Sequence, residues 1–234
     1  MSQKEVIILS GVVVAIIVAL YTAILAYYIV LEKKEKFKFA TIIKVVLSAY
    51  AAAVCIYAAI CLNELIFYIF AIGLVFAVPA DFFLQYIITD IKKYRAGILC
   101  FGLMHICLLV SFYLTYTIAI YEFIIFAILI GILLAFQILG KWKMGEEKNQ
   151  LTIYTVFVVF MAAKAISIYI TEPAGQLFTL ILAFGGLFFF ISDLFLGIWA
   201  YSGNRRFLYL ALNRTIYFAG QLCLAFYLVF RLPT

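Results

Sequence analysis

Two aspartates, Asp81 and Asp193, lie within long apolar stretches of the sequence. A carboxylate in hydrocarbon is expensive, and its presence there points first to function. Two carboxyl groups in different environments can divide acid and base work, because one is held protonated while the other is ionised. The alternative is that each carboxylate pairs with a nearby cation and only locks helix packing. We take Asp81 and Asp193 as the candidate catalytic pair.

The two aspartates belong to a stretch that occurs twice. Residues 71–84 and 183–196 align without a gap and share six identities. The identical pairs are Ala71/Ala183, Gly73/Gly185, Phe76/Phe188, Asp81/Asp193, Phe83/Phe195 and Leu84/Leu196. The same offset places His105 opposite Tyr217. An even number of spans per copy keeps both copies in one orientation, so the sequence predicts a parallel four-plus-four duplication with halves of approximately 1–117 and 118–234.

Three cations accompany the aspartates inside apolar segments. Lys44 lies about one turn inside its segment, where it either snorkels to the interface or turns inward. Lys164 lies deeper and must face a carboxylate, a cavity or an anionic ligand. Arg214 carries a planar guanidinium that suits a bidentate phosphate contact. Three cations against two aspartates leave a positive surplus, which predicts that an anion such as a phosphodiester headgroup binds there.

Neutral polar side chains also occur at depth. His105 is the sole histidine, and it is either a packing residue or a member of a polar site. Asn213, Tyr217 and Gln221 recur at i, i+4 and i+8, so they share one helix face that lines a cavity or bonds a neighbouring helix. Eight other acidic residues lie at segment ends or in loops and are expected to be solvated: Glu32, Glu35, Glu64, Asp90, Glu122, Glu146, Glu147 and Glu172.

The composition determines what surrounds these residues. The chain is 69% hydrophobic and 12% charged, more apolar than a soluble fold of 234 residues can bury. Eight apolar segments of spanning length run approximately 6–31, 41–61, 65–88, 96–116, 118–139, 151–171, 177–200 and 207–230. The sequence therefore predicts an all-α integral membrane protein with one transmembrane domain over 1–234. The cysteines form no CxxC pair and no basic patch is interleaved with aromatics, so no metal, cofactor or nucleic-acid partner is expected.

Charge alternates sharply along the connections between these segments. The odd-numbered connections hold Lys33, Lys34, Lys36, Lys38, Lys92, Lys93, Arg95, Lys141, Lys143, Lys148, Arg205 and Arg206. The even-numbered connections hold no Lys or Arg. By the positive-inside rule both termini face away from the cytoplasm, and the two aspartates lie in the cytoplasmic halves of their spans. We expect a multi-pass protein of the endoplasmic reticulum if eukaryotic, or of the cytoplasmic membrane if bacterial.

Four short motifs resemble those of the YhhN-like lysoplasmalogenases. They are Asp81-x-x-Leu84, Gly97-x-x-x-Phe101-x-x-x-His105, Gly186-x-x-Phe189-x-x-Ser192-Asp193 and Tyr217-x-x-x-Gln221. Tyr154 followed by Met161 also fits the family. The chain departs from it at Val45, where the family commonly has Pro, and at Leu108, where it often has Tyr.

The resemblance implies an eight-helix membrane hydrolase that cleaves the vinyl ether of lysoplasmalogens. Its expected partners are this lysophospholipid substrate and the lipid bilayer. The products would be a fatty aldehyde and glycerophospho-ethanolamine or -choline. The family's chemistry on two aspartates transfers to Asp81 and Asp193. The expected substrate-binding residues are Lys44, His105, Lys164, Arg214, Tyr217 and Gln221, the cations for the phosphate and the others for water and glycerol oxygens. Two further classes stay open: a small transporter or proton-coupled carrier, and a non-catalytic lipid-binding protein.

Overall fold

A computed structural model describes residues 3–87, 89–172 and 176–232, and within these ranges it contains eight α-helices and no strand. The eight helices are α1 (Gln3–Lys33), α2 (Phe37–Leu62), α3 (Leu65–Leu84), α4 (Ile91–Thr115), α5 (Ile120–Leu139), α6 (Lys148–Thr171), α7 (Leu177–Tyr201) and α8 (Phe207–Val229). The predicted all-α fold class is confirmed.

Seven of the described helices, α1 to α7, are long and apolar enough to cross a membrane. Helix α8 has 23 residues and is about 35 Å long, which is also sufficient to span. Its most apolar stretch is less apolar than those of α1 to α7, because it carries Asn213, Arg214 and Gln221. Large apolar side chains such as Leu20 and Ile128 are exposed on α1 and α5, as expected of a surface in contact with lipid. The chain is a multi-pass membrane protein.

Several helix ends differ from the predicted segment limits, and the connection between α3 and α4 differs the most. Helix α3 ends at Leu84, before the predicted limit of 88, and α4 begins at Ile91 rather than 96. Helix α4 starts early because the Asp90 carboxylate accepts hydrogen bonds from the backbone N–H groups of Lys93 and Lys92, at 3.2 and 3.1 Å. These bonds, that from Lys93 above all, lower the pKa of the Asp90 carboxyl. A capping side chain, and not the apolar run, sets where α4 begins.

The packing of the helices follows a pattern that a duplication requires. Consecutive helices pack as α2 with α3 and α3 with α4, and equally as α6 with α7 and α7 with α8. Between the halves, α2 packs against α8 and α6 packs against α4. Under the offset of 112 residues these two contacts are equivalents of each other, and the first residue of α3 coincides with the first residue of α7. The internal repeat itself stays a prediction, and these pairings support it.

The basic connections lie together at one end of the bundle, which we call the basic end. There the guanidinium of Arg95 lies 3.2 Å from the carboxylate of Glu146, and the backbone N–H of Lys143 donates to the carbonyl of Tyr201 at 2.9 Å. These contacts join the start of α4, the α5–α6 connection and the end of α7. The first described residue of α1 and the last residue of α8 lie at the opposite end of the bundle. That the basic end faces the cytoplasm remains a prediction from the charge pattern.

Glycines let the helices of each half approach closely. A β-carbon at Gly73 would lie 3.1 Å from the carbonyl oxygen of Met104 and 3.2 Å from Cβ of Cys107, both on α4. Its repeat counterpart Gly185 faces α8 in the same way, since a β-carbon there would lie 2.8 Å from Leu224. Small residues at such crossings are the usual means of close helix packing in membranes.

The substitution Gly73→Leu should lower the thermal unfolding temperature in detergent, because overpacking a tight contact costs about 1–3 kcal/mol. Gly102→Leu is the matched control, since no atom lies within 4 Å of a β-carbon at that position of α4. We expect the control variant to have the same unfolding temperature as the unaltered protein. Equal unfolding temperatures for both variants would contradict the close α3–α4 approach.

Candidate active site

A cavity of about 80 Å³ lies near the basic end, and both Asp81 and Asp193 line it. We call it the central cavity. Asp81 is three residues from the end of α3 and Asp193 is eight residues from the end of α7. The other walls of the central cavity come from α2, α4, α5, α6, α8 and the α5–α6 connection. Its further lining residues include Lys44, Tyr94, Ile98, Phe101, Leu133, Gln137, Trp142, Tyr154, Val158, Phe190, Tyr201, Asn213, Arg214 and Tyr217.

Asp81 is surrounded by donors from two other helices. The ammonium of Lys44 on α2 lies 3.0 Å from Oδ1. Ser48, one turn further along α2, donates its hydroxyl hydrogen bond to Oδ2. Tyr217 of α8 donates to the same Oδ2 at 2.6 Å. Asp81 and Lys44 are each only 1% exposed, so this is a fully buried ion pair with two added hydrogen bonds.

Asp193 has a sparser environment. Among the described residues its one hydrogen bond comes from the hydroxyl of Tyr154 on α6, which donates to Oδ2 at 2.8 Å. No described cation lies within ion-pair distance of this carboxyl. Asp193 is half-buried, whereas Asp81 is fully buried. The two carboxyl groups therefore differ in partners although their positions in the sequence correspond.

The two tyrosines that bond the aspartates flank a single phenylalanine. The ring centroid of Phe101 on α4 lies 5.8 Å from that of Tyr217 and 6.4 Å from that of Tyr154. Gln221, one turn beyond Tyr217, donates its amide N–H to the Tyr217 hydroxyl at 3.2 Å. That contact leaves the hydroxyl hydrogen of Tyr217 directed at Asp81. Gln221 thus supports the site from outside the cavity wall.

Arg214 lies at the boundary between the central cavity and a second cavity at the basic end. Its Nε lies 3.2 Å from the carboxylate of Glu32 on α1, and its Nη1 donates to the amide oxygen of Asn213 at 3.0 Å. Asn213 in turn donates its amide N–H to the carbonyl of Ser192 at 2.9 Å, which ties α8 to α7 beside Asp193. Arg214 is held by protein groups on two sides.

The second cavity, which we call the vestibule, has a volume of about 390 Å³ and shares Lys44 and Arg214 with the central cavity. Its charged lining residues are Lys33, Lys44, Arg205, Arg214, Glu32 and Glu35. Lys33 and Arg205 form no ion pair with any residue that the structure describes. The vestibule therefore carries more cationic than anionic groups.

Lys164 does not reach either cavity, which corrects its expected place in the site. Its ammonium lies 2.8 Å from the carboxylate of Glu122 and donates to the carbonyl of Thr117 at 2.6 Å. It also lies 4.5 Å from the ring centroid of Tyr113. Ten residues separate Lys164 from Tyr154 on α6, which is about 15 Å along the helix. The side chain extends to the α4–α5 turn at the opposite end from the aspartates.

The expected surplus of buried positive charge was also wrong, because two glutamates lie beside the cations. Glu122 and Glu32 were predicted to be solvated, but Glu122 is 1% exposed and the side chain of Glu32 is 11% exposed. Each neutralises one cation, Lys164 and Arg214 respectively. Each of the three buried cations, Lys44, Lys164 and Arg214, is therefore paired with a carboxylate of the protein.

His105 is fully buried but is not part of the cavity wall. Its ring packs against Tyr154 at 5.7 Å and against Phe189 at 5.6 Å between centroids. Neither ring nitrogen has a hydrogen-bond partner among the residues of the described ranges. His105 therefore buttresses the tyrosine that bonds Asp193 and does not face the space where a ligand would lie.

Three residues of the site were absent from the expected set. Ser48 had a signal, because it lies four residues after Lys44 on the same helix face. Tyr154 entered only through the family resemblance. Trp142, from the α5–α6 connection, had no periodicity or charge pattern to mark it.

The fold and the two cavities define a multi-pass helical membrane protein with a carboxylate-lined pocket near one membrane face. The chain belongs to the YhhN family, whose family model matches residues 57–228. The matched region contains both aspartates, whereas Lys44 and Glu32 precede it. Comparisons with curated proteins and with solved structures gave no match.

The substitution Lys164→Met should destabilise the fold by about 3–5 kcal/mol, because it leaves the Glu122 carboxylate buried without its cation. Combining it with Glu122→Leu should recover most of the loss. Thermal unfolding in detergent measures both effects. If the double variant unfolds at as low a temperature as the single variant, the buried pair is not the source of the loss.

Proposed function

We propose that this protein is a membrane-embedded hydrolase that cleaves the vinyl ether of lysoplasmalogens. The observation that carries the proposal is that two carboxyl groups with unlike partners, Asp81 and Asp193, line one cavity. Membership of the YhhN family, which is associated with hydrolase activity, supports the same class.

The hydrogen bonds suggest which carboxyl group does which task. Asp81 faces an ammonium and accepts from two hydroxyl groups, so both of its oxygens are occupied as acceptors. An ionised carboxylate is an acceptor only, and this environment suits it. Asp193 accepts one hydrogen bond on Oδ2, which leaves Oδ1 to carry a proton. We assign Asp193 as the general acid and Asp81 as the stabilising carboxylate.

The reaction needs one proton delivered to carbon and one water. Asp193 would protonate the β-carbon of the vinyl ether, and the electron pair of the double bond forms the new C–H bond. The resulting oxocarbenium ion is stabilised by a nearby carboxylate, as in two-carboxylate glycosidases. Water adds to the cationic carbon and returns a proton to Asp193. The hemiacetal then breaks its bond to the glycerol oxygen, which gives the aldehyde and the free alcohol.

The arrangement of the two cavities fits a lipid with one chain. The phosphate would lie where the vestibule meets the central cavity, near Lys44 and Arg214, with Arg205 and Lys33 adding positive charge. The alkenyl chain would lie toward the apolar wall of α5, α6 and α7, which includes Leu133, Val158 and Phe190. Such placement puts the vinyl ether beside the aspartates.

The rival classes are a proton-coupled carrier and a non-catalytic lipid-binding protein. The transporter folds that bind ions at mid-membrane use interrupted helices. Here α3 runs through Pro79 without a break and α7 runs through Gly185 and Gly186. The carboxyl pair also lies toward one end of the bundle. These features favour the hydrolase.

The substitutions Asp81→Asn and Asp193→Asn should each lower aldehyde release from lysoplasmalogen by about 10²–10⁴-fold, the usual worth of acid–base catalysis. Purified protein in detergent micelles is assayed for aldehyde, with the saturated-ether analogue as a substrate that should not react. Asp90→Asn is the matched control, because Asn also caps a helix and position 90 lies outside both cavities.

Two results would count against this proposal. One is unchanged turnover in either aspartate variant when thermal unfolding shows that it is folded. The other is solute uptake by proteoliposomes without any aldehyde, which would identify a carrier.

The substitution Arg205→Gln should raise the KM for lysoplasmalogen about 3- to 10-fold with little change in kcat, because an exposed cation contributes about 1 kcal/mol to phosphate binding. Arg206→Gln removes a neighbouring exposed cation that does not line the vestibule. The effect should fall as salt is raised, because salt screens exposed charges. Equal KM values for the two variants would exclude the vestibule as the phosphate site.

A further inference from the structure

The α5–α6 connection places a tryptophan against the central cavity. Trp142 lines that cavity and is half-buried as a residue. Its indole Nε1 is buried and has no hydrogen-bond partner within the described part of the chain. A buried donor left unpaired costs about 1–3 kcal/mol, and such a group calls for an explanation. A bound ligand with an acceptor oxygen at this position would supply the missing partner.

The position of the indole is built into the surrounding chain. A β-carbon at Gly197 of α7 would overlap the six-membered ring of Trp142, so only glycine admits the ring there. At Gly140 a β-carbon would lie 2.6 Å from Nε1. The next residue, Lys143, is fixed by its backbone hydrogen bond to the carbonyl of Tyr201. Two glycines and one main-chain bond therefore seat Trp142 in the cavity wall.

The position of Trp142 against α7 places it close to Asp193, the candidate general acid. Gly197 is four residues after Asp193, so the six-membered ring of the indole lies against α7 about one turn, or 6 Å along the axis, from the aspartate. When a vinyl ether lies beside Asp193, the group one turn away is the glycerol backbone, which begins at the ether oxygen. The nearest acceptor there is the oxygen at carbon 2 of glycerol.

The position of the indole limits what that oxygen can carry. Trp142 forms part of the cavity wall and is seated between Gly140, which follows α5, and Gly197 of α7. A free hydroxyl fits beside the indole, whereas a second acyl chain on the same oxygen would have to displace Trp142.

We propose that Trp142 is a specificity-determining residue whose indole N–H donates to the free 2-hydroxyl oxygen of a one-chain glycerophospholipid. This inference rests on the proposed function for the identity of the ligand. It assigns the preference for lysolipids over two-chain lipids to a residue outside the aspartate pair.

The test uses the chain's own fluorescence, because Trp142 and Trp199 are its two tryptophans. The variant Trp199→Phe leaves Trp142 as the single reporter and serves as the parent for all comparisons. The probe is 1-O-hexadecyl-glycero-3-phosphoethanolamine, a saturated ether that cannot react by vinyl-ether protonation. We expect a saturable change in Trp142 emission on titration into the protein in detergent. Absence of a saturable change would overturn the proposal.

Hydrogen bonding is tested with the 2-deoxy analogue of the same lipid, measured by calorimetry. In the parent the 2-deoxy analogue should bind about 2- to 10-fold more weakly, the equivalent of one hydrogen bond. With Trp142→Phe, which keeps a ring but removes the donor, both lipids should bind equally. A parent that does not distinguish them, or a Phe variant that still does, would overturn the assignment.

The second chain is tested with the 2-acyl analogue. It should bind the parent at least tenfold more weakly than the one-chain probe, and Trp142→Ala should narrow that difference because it clears the space of the ring. Equal affinities of the parent for both would overturn the steric part of the proposal. Since every probe is unreactive, saturable binding without any aldehyde release from lysoplasmalogen would refute the hydrolase and leave this assignment standing.

Discussion

The buried carboxylate of Asp81 is the constraint around which the bundle is organised. An ionised group of this kind tolerates burial only when its charge and its lone pairs are met by donors. Lys44 and Ser48 of α2 and Tyr217 of α8 provide them, and Gln221 holds Tyr217 in place. Because α2 and α8 belong to different predicted halves, satisfying this one group also joins the halves across the bundle. Removing any donor would leave a charge in a medium that cannot solvate it.

The two predicted halves pack their helices in the same pattern but differ in chemistry. The position equivalent to Lys44 is Val156, and the position equivalent to Lys164 is Ala52. Each half therefore has one deep lysine, and the two lie in different places, one bonded to Asp81 and the other to Glu122. Asp193 receives its hydrogen bond from Tyr154, whose equivalent is Ile42. Matching positions of the predicted repeat thus present two unlike carboxyl groups, which acid–base chemistry requires.

The sequence was sufficient to predict the helices and to single out Asp81 and Asp193, which line one cavity. Spanning length and a carboxylate in an apolar run are both local signals. It was not sufficient for Lys164, since depth along a helix does not reveal which neighbour a long side chain reaches. Glu122 and Glu32 were misjudged because closeness to a helix end does not imply contact with water. Helix α4 begins earlier than predicted because the side chain of one residue, Asp90, caps it, and the hydrophobic pattern does not show such a cap. Trp142 could not be predicted, since its position depends on the conformation of its own loop, which includes Gly140, and on Gly197 of α7.

The depth of the site agrees with the chemistry proposed for it. In a lysolipid at a membrane interface, the phosphate stays with water and the ether oxygen lies only a few bonds deeper. Asp81 is three residues, about 4.5 Å along the axis, from the end of α3, and Asp193 is eight residues, about 12 Å, from the end of α7. A site at mid-membrane would require the headgroup to be dragged into hydrocarbon, at the cost of burying its charge. In the proposed reaction, the basic vestibule next to the central cavity would keep the phosphate near water while the vinyl ether reaches the acid, and the same opening would admit the water that the reaction consumes.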